Sequence, residues 1–152
     1  MKNIVLLSVV LTLATGLCFA DDTLKSYLGK SELVVIGKIT TLSVGEYKAI
    51  GVLYSTCEFR IADVLKGDAS LKAKTIRVKV KRYELSAEDK HPLLKKDSEC
   101  ILFLKNAGTK ENPSWKTADF WFAIQYPSPM MASSLKQLAK ETAEETADAP
   151  DK

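Results

Sequence analysis

The chain has 152 residues, 22 lysines and arginines against 19 acidic residues, one histidine and a formal net charge of +3. That length bounds a single domain, large enough to bury an ordinary core without disulfides or a metal. The near balance of charge, joined to the export signature below, argues against nucleic acid as a partner.

The N-terminus reads Met-Lys-Asn, followed by an apolar run from Ile4 to Leu13 that only Ser8 and Thr12 interrupt. Gly16 breaks this run, and Cys18 and Ala20 supply the small residues that signal peptidase needs at −3 and −1. Residues 1–20 are therefore expected to be a signal peptide cleaved after Ala20, with a secreted or periplasmic destination for the mature protein. Lipidation at Cys18 is the competing reading, and the bulky Leu17 before it speaks against it. The apolar run is shorter than the ~20 residues that span a bilayer, and no later stretch is a transmembrane candidate. Removing residues 1–20 from 152 leaves 132, and the loss of Lys2 takes the net charge from +3 to +2. The expected organisation is one domain over 21–146 and a disordered acidic tail over 147–152.

Two cysteines remain in the mature chain, Cys57 and Cys100. Their spacing fits no zinc motif. In an oxidising compartment they form either one disulfide or two buried apolar thiols.

In chain order, residues 23–30 predict a short helix with Leu24 and Leu28 on one face and Gly29 as its stop. Residues 32–44 predict a strand with Leu33, Val35, Gly37 and Ile39 on one face and Val34 and Ile36 on the other. Gly37 in mid-strand signals a bend or bulge. Residues 50–65 predict a long second strand carrying Leu53, Cys57, Phe59 and Ile61 on one face and Glu58 and Arg60 on the other. The pattern slips near Asp63, as a bulge would make it. Lys66-Gly67-Asp68 is a turn. Residues 74–83 alternate most regularly, with Ile76, Val78 and Val80 inward and Arg77, Lys79 and Lys81 outward. Residues 99–105 are apolar on both faces, which requires cover on both sides. Residues 115–126 predict a fifth strand with Phe120, Phe122, Ile124 and Tyr126 on one face. Ser128 and Pro129 suit the N-cap and first turn of a helix whose stripe is Met131, Leu135 and Leu138. Five strands, a bent second strand and one flanking helix predict a mainly β chain: a small five-stranded OB-like barrel with a C-terminal α-helix, or alternatively a short β-sandwich with a helix.

Three segments, SELVVIGKI at 31–39, FRIADVLKG at 59–67 and ECILFLKN at 99–106, resemble exported bacterial OB-like domains of the netrin-module type, the class shared with tissue inhibitors of metalloproteinases. The resemblance covers most of 31–126 and implies a fold and a secreted location rather than an activity. Those inhibitors act through a cysteine at the mature N-terminus. This chain has Asp21 there and lacks their dense disulfide framework, so that mechanism does not carry over.

No catalytic constellation is visible. His91 stands alone before Pro92 in a charged loop. Glu84, Glu88 and Asp89 lie together but beside Lys90, in a segment with nothing to bury them. Asp63 and Asp68 lack the ligand alternation of a calcium loop. Two features are candidate binding sites. Between Lys66 and Arg82 there are seven basic residues and one acidic residue, Asp68. Alternation brings Arg77, Lys79 and Lys81 out on one strip, able to meet an anionic surface or to guard an exposed strand edge. Trp115 and Trp121 share a strand parity and could form an aromatic platform or pack beneath the C-terminal helix. The expectation is a non-enzymatic binding module without a cofactor, its partner a protein or an anionic envelope component. An inhibitor of a secreted hydrolase is the alternative, and an enzyme with an unrecognised site stands third.

Overall fold

The computed structural model describes residues 22–49, 52–83, 92–118 and 123–147. The signal segment, the loop holding Glu84, Glu88, Asp89 and His91, and the segment holding Phe120, Trp121 and Phe122 lie outside them. Helix α1 (22–29) leads into β1 (Leu33–Ala49) and β2 (Val52–Lys66). A 3₁₀ turn at Ala69–Leu71 precedes β3 (Thr75–Tyr83), and β4 (Glu99–Asn106), β5 (Trp115–Thr117), β6 (Ile124–Gln125) and α2 (Pro129–Ala147) follow.

The pairing order is β1-β2-β3-β5-β4, and β1 pairs again with β4, so five strands close a ring. β3 and β5 run parallel and the other pairs antiparallel, which makes a small OB-like barrel rather than an open sandwich. β6 is an added strand on β4.

Closure forces the long strands to bend, and the bends are bulges. Val34 and Val35 pair with Lys66 and Val64, which leaves Leu65 extra on β2. Ile36 and Gly37 pair with Asp63 and Ile61, which leaves Ala62 extra. These two bulges flank Asp63, where the sequence pattern slips. A third, at Thr40 on β1, is pinned by its hydroxyl donating to the Glu58 carbonyl at 3.1 Å. Gly67 takes φ +104°, and Asp68 caps the 3₁₀ turn by accepting from the Ser70 N–H at 2.8 Å.

Two separate apolar cores explain the strands that are hydrophobic on both faces. The barrel interior gathers Leu33, Val35, Ile39, Phe59, Ile61, Val78, Val80, Leu102 and Leu104 with both cysteines. The outer faces of β1 and β4 form a second layer, in which Val34, Ile101 and Phe103 pack with Leu28 of α1 and with Leu135 and Leu138 of α2. The Tyr27 ring meets the Phe103 ring edge-on at 6.0 Å. The ammonium of Lys66 donates to the carbonyls of Leu28 and Ser31 at 2.6 and 2.7 Å, tying down the end of α1. Burial holds that lysine below its ordinary pKa.

Ser128 caps α2 as its sequence position suggests: its hydroxyl accepts from the Met131 N–H at 3.0 Å. Ser128→Ala should destabilise the protein by about 1 kcal/mol, read as a fall of a few degrees in Tm. An unchanged melting curve would show that the cap contributes nothing. Farther along α2, Lys136 pairs with Asp63 at 2.5 Å, and Lys72 reaches the same carboxylate at 3.2 Å. The Lys136 hydrogen bond is the main reason the Asp63 carboxyl sits below its usual range.

The expected fifth strand is interrupted. The Phe103 carbonyl accepts from the Ala118 N–H at 2.9 Å, while the Phe103 N–H donates to the Ala123 carbonyl at 2.9 Å. One residue of β4 thus bonds both Ala118 and Ala123, so the described parts of the expected strand are two pieces, β5 and β6. Tyr126 falls beyond β6 and is exposed, whereas Ile124 is buried, so the face they were expected to share ends at Ile124.

Candidate functional site

The alternation on β3 holds in three dimensions. Val78 and Val80 enter the barrel core, and Arg77 and Lys79 are exposed on the outside. Lys81 is half-buried, and its backbone N–H donates to the Thr117 hydroxyl at 3.1 Å, extending the β3–β5 junction past its two paired residues. On β2, Tyr54, Thr56 and Glu58 lie opposite Lys81, Lys79 and Arg77. The Lys79 ammonium stands 5.0 Å from the centre of the Tyr54 ring, a cation–π contact of roughly 0.5–1 kcal/mol at such exposure.

Registration across the barrel adds two lysines. Lys79 pairs with Lys116 on β5, and Lys116 pairs with Lys105 on β4. Val78, on the inner face, pairs with Trp115, so Lys116 must point outward as Lys79 does. The result is a cross: three cations along β3 and three across β3, β5 and β4, with Lys79 at the crossing. Glu58 is the acid opposite Arg77. The transverse row ends at Glu32, whose carboxylate accepts from the Asn106 N–H at 3.2 Å. Ion pairs among the described residues join Lys38 to Asp97, Lys72 and Lys136 to Asp63, and Lys140 to Glu144. None of them draws on Arg77, Lys79 or Lys116. Like charges directly opposite on neighbouring strands destabilise a sheet. At ~5 Å in water the repulsion is roughly 0.8 kcal/mol per pair before salt screening.

β3 is paired along its length to β2 but to β5 only at Val78 and Lys79. At Lys79 the strand therefore has no free edge, and edge protection does not account for that cation. The sequence pattern reveals the β3 strip but not Lys105 or Lys116. Their signal lies in two short strings, Phe-Leu-Lys-Asn and Trp-Lys-Thr, that acquire a facing only when the register is known.

Trp115 is half-buried and packs against the barrel interior, not beneath α2, which sits on the other apolar layer. Its pairing with Val78 turns it toward the barrel interior, and Trp121, its expected companion, lies outside the described residues.

Inside the barrel, Cys57 and Cys100 are free thiols, both buried in the same cluster. Burial pushes Cys57 up to about 11 and Cys100 up to about 12, the latter also through its proximity to Cys57. Thiols so protonated at neutral pH are poor nucleophiles and poor metal ligands. Ser55 shares this inner face, and its buried hydroxyl has no hydrogen-bond partner among the described residues. Pre-reduced native protein should resist iodoacetamide at pH 8 at both cysteines and become labelled at both above its guanidinium midpoint. Rapid native labelling of the Cys57 or Cys100 peptide, followed by mass spectrometry, would contradict the core assignment.

A groove of about 520 Å³ lies between the end of β2 and α2, lined by Val64, Leu65, Lys136, Ala139, Lys140 and Ala143 among others. Among the described residues no group of three His, Cys, Asp or Glu side chains is placed to hold a metal. None of their helices is long and apolar enough to cross a membrane. No family model and no curated protein matches the chain.

Proposed function

We propose that the protein is an exported, non-catalytic binding module that recognises an anionic component of the cell envelope through the outer face of β3. In this reading residues 1–20 direct export, and the barrel is of the netrin-module type suggested by its core strands. Zinc chelation by an N-terminal cysteine has no part in it, because the mature chain would begin at Asp21. The observation that carries the proposal is the set of outward cations centred on Lys79, where β3 is paired on both sides. Arg77 and Lys79 have no ion-pair partner among the described residues, and two further lysines stand in register beside Lys79. The arrangement sets like charges against one another on neighbouring strands, and an anionic ligand would neutralise them.

Retention on a phosphocellulose column tests this. Arg77→Gln, Lys79→Gln and Lys81→Gln together should lower the salt needed for elution and weaken binding about tenfold, taking roughly 0.5 kcal/mol for each cation. Tm should change by no more than a few degrees, since relieved repulsion offsets the lost Lys79–Tyr54 contact. Equal retention of the two proteins would sink the proposal.

A further inference from the structure

The transverse row carries more information than the β3 strip. Its three members come from segments far apart in the chain, Lys79 on β3, Lys116 on β5 and Lys105 on β4, and backbone pairing alone brings them into line. Neighbouring strands stand about 4.8 Å apart, so the row emerges within about 10 Å of barrel wall. The register cannot slip, because a shift of one residue would drive the lysines inward and expose Val78, Trp115 and Leu104.

The row is made of lysines alone. Lysine offers a compact point charge on a flexible stem, suited to single oxyanions in succession. Arginine, the residue for bidentate grip on carboxylates, is absent from it. The surface beneath is the convex side of a barrel, and a flat bilayer touches such a surface along little of its width. The exposed large apolar side chains among the described residues, Tyr126 and Met130, belong to the segment leading from β6 into α2. Among the described residues no exposed large apolar side chain lies on the strands of the row. A flexible chain can follow the curvature where a membrane cannot.

We infer that Lys79, Lys116 and Lys105 form a subsite for a linear polymer carrying phosphodiester groups, laid across β3, β5 and β4 with successive phosphates on successive lysines. This rests on the anionic-ligand reading above and specifies the ligand's form and direction. Tyr54, beneath Lys79, bounds the β2 side of the track.

The test uses poly(glycerol phosphate) chains of one to eight repeats and vesicles of phosphatidylcholine with 30 mol% phosphatidylglycerol, both at low salt. Affinity of the wild type should climb with polymer length and level off once three lysines are spanned. Lys116→Gln and the double variant Lys105→Gln/Lys116→Gln should remove that climb, weakening the longer chains roughly five- to tenfold while single glycerol phosphate is unaffected. Circular dichroism melts check that the variants are folded. Binding independent of length, or a double variant that keeps the climb, overturns the inference. So does retention on vesicles that depends on Lys116 and exceeds retention on the polymer. If the strip variant of β3 loses binding while the row variants do not, the track is wrong and the anionic-ligand reading stands. If no anionic probe is retained at all, both fall.

Discussion

Ile61→Asp is expected to leave the chain unfolded at 25 °C. Ile61 is buried in the barrel interior, where the cluster around it consists of aliphatic and aromatic side chains and two thiols. No cation among these neighbours could pair with a carboxylate there. Its backbone is already committed, the N–H donating to the Lys74 carbonyl at 2.9 Å and the carbonyl accepting from the Ala73 N–H at 3.0 Å. The strand therefore cannot rotate the new side chain outward without breaking the turn into β3. An unpaired buried charge costs several kcal/mol, and the apolar contacts of the isoleucine are lost as well. Stability of a domain this size is about 5–15 kcal/mol, so the substitution removes most or all of it. Ile61→Val should cost only about 1 kcal/mol and keep a cooperative urea transition. A wild-type melting curve for Ile61→Asp would mean that β2 presents its other face to the core.

How much of this was legible in the sequence follows the range of the interaction concerned. Ile76, Val78 and Val80 alternate with cations, so the facing of β3 is a local property and reads directly. Val34 with Val35, and Ile101 through Leu104, are apolar on both sides, which signals cover on both faces. The second layer under α1 and α2 supplies it. Ser128 and Pro129 announce the start of α2 because capping is also local. The division of the expected fifth strand into β5 and β6 was hidden: the sequence shows no stop between them, and only the two bonds made by Phe103 show that Ala118 and Ala123 both meet one residue of β4. The destination of Trp115 was hidden for a related reason. Two apolar layers compete for any tryptophan, and its pairing with Val78 decides for the barrel interior. The lysine row was least legible, since it exists only through two non-local registers, one of which, β3 with β5, consists of two residue pairs.

Gly37→Ala is expected to cost about 3 kcal/mol or more, although it adds a single methyl group. Gly37 pairs with Ile61 on one side and Cys100 on the other, at the place where β1 joins β2 to β4 and closes the ring. The Ala62 bulge lies beside this pairing. A Cβ at position 37 would stand 2.1 Å from the Arg60 carbonyl oxygen and 2.9 Å from Phe59 Cε1. A flexible side chain could yield to such contacts, but a carbonyl within a paired strand moves only if the strand moves. Either β1 separates from β2, or the bulge flattens and Asp63 loses its alignment with Lys136 and Lys72. Gly29→Ala is the matched control: nothing lies within 4 Å of the added carbon, and its urea midpoint should shift little or upward. Should Gly37→Ala unfold at the wild-type midpoint, the close approach of β1 and β2 is not as described. The variant also separates architecture from charge. The lysine row exists only while the ring holds β4 and β5 against β3. Gly37→Ala should therefore lose retention on phosphocellulose in step with its loss of structure and with the exposure of Cys57 and Cys100 to iodoacetamide. The triple glutamine variant of β3 should lose retention with both thiols still protected.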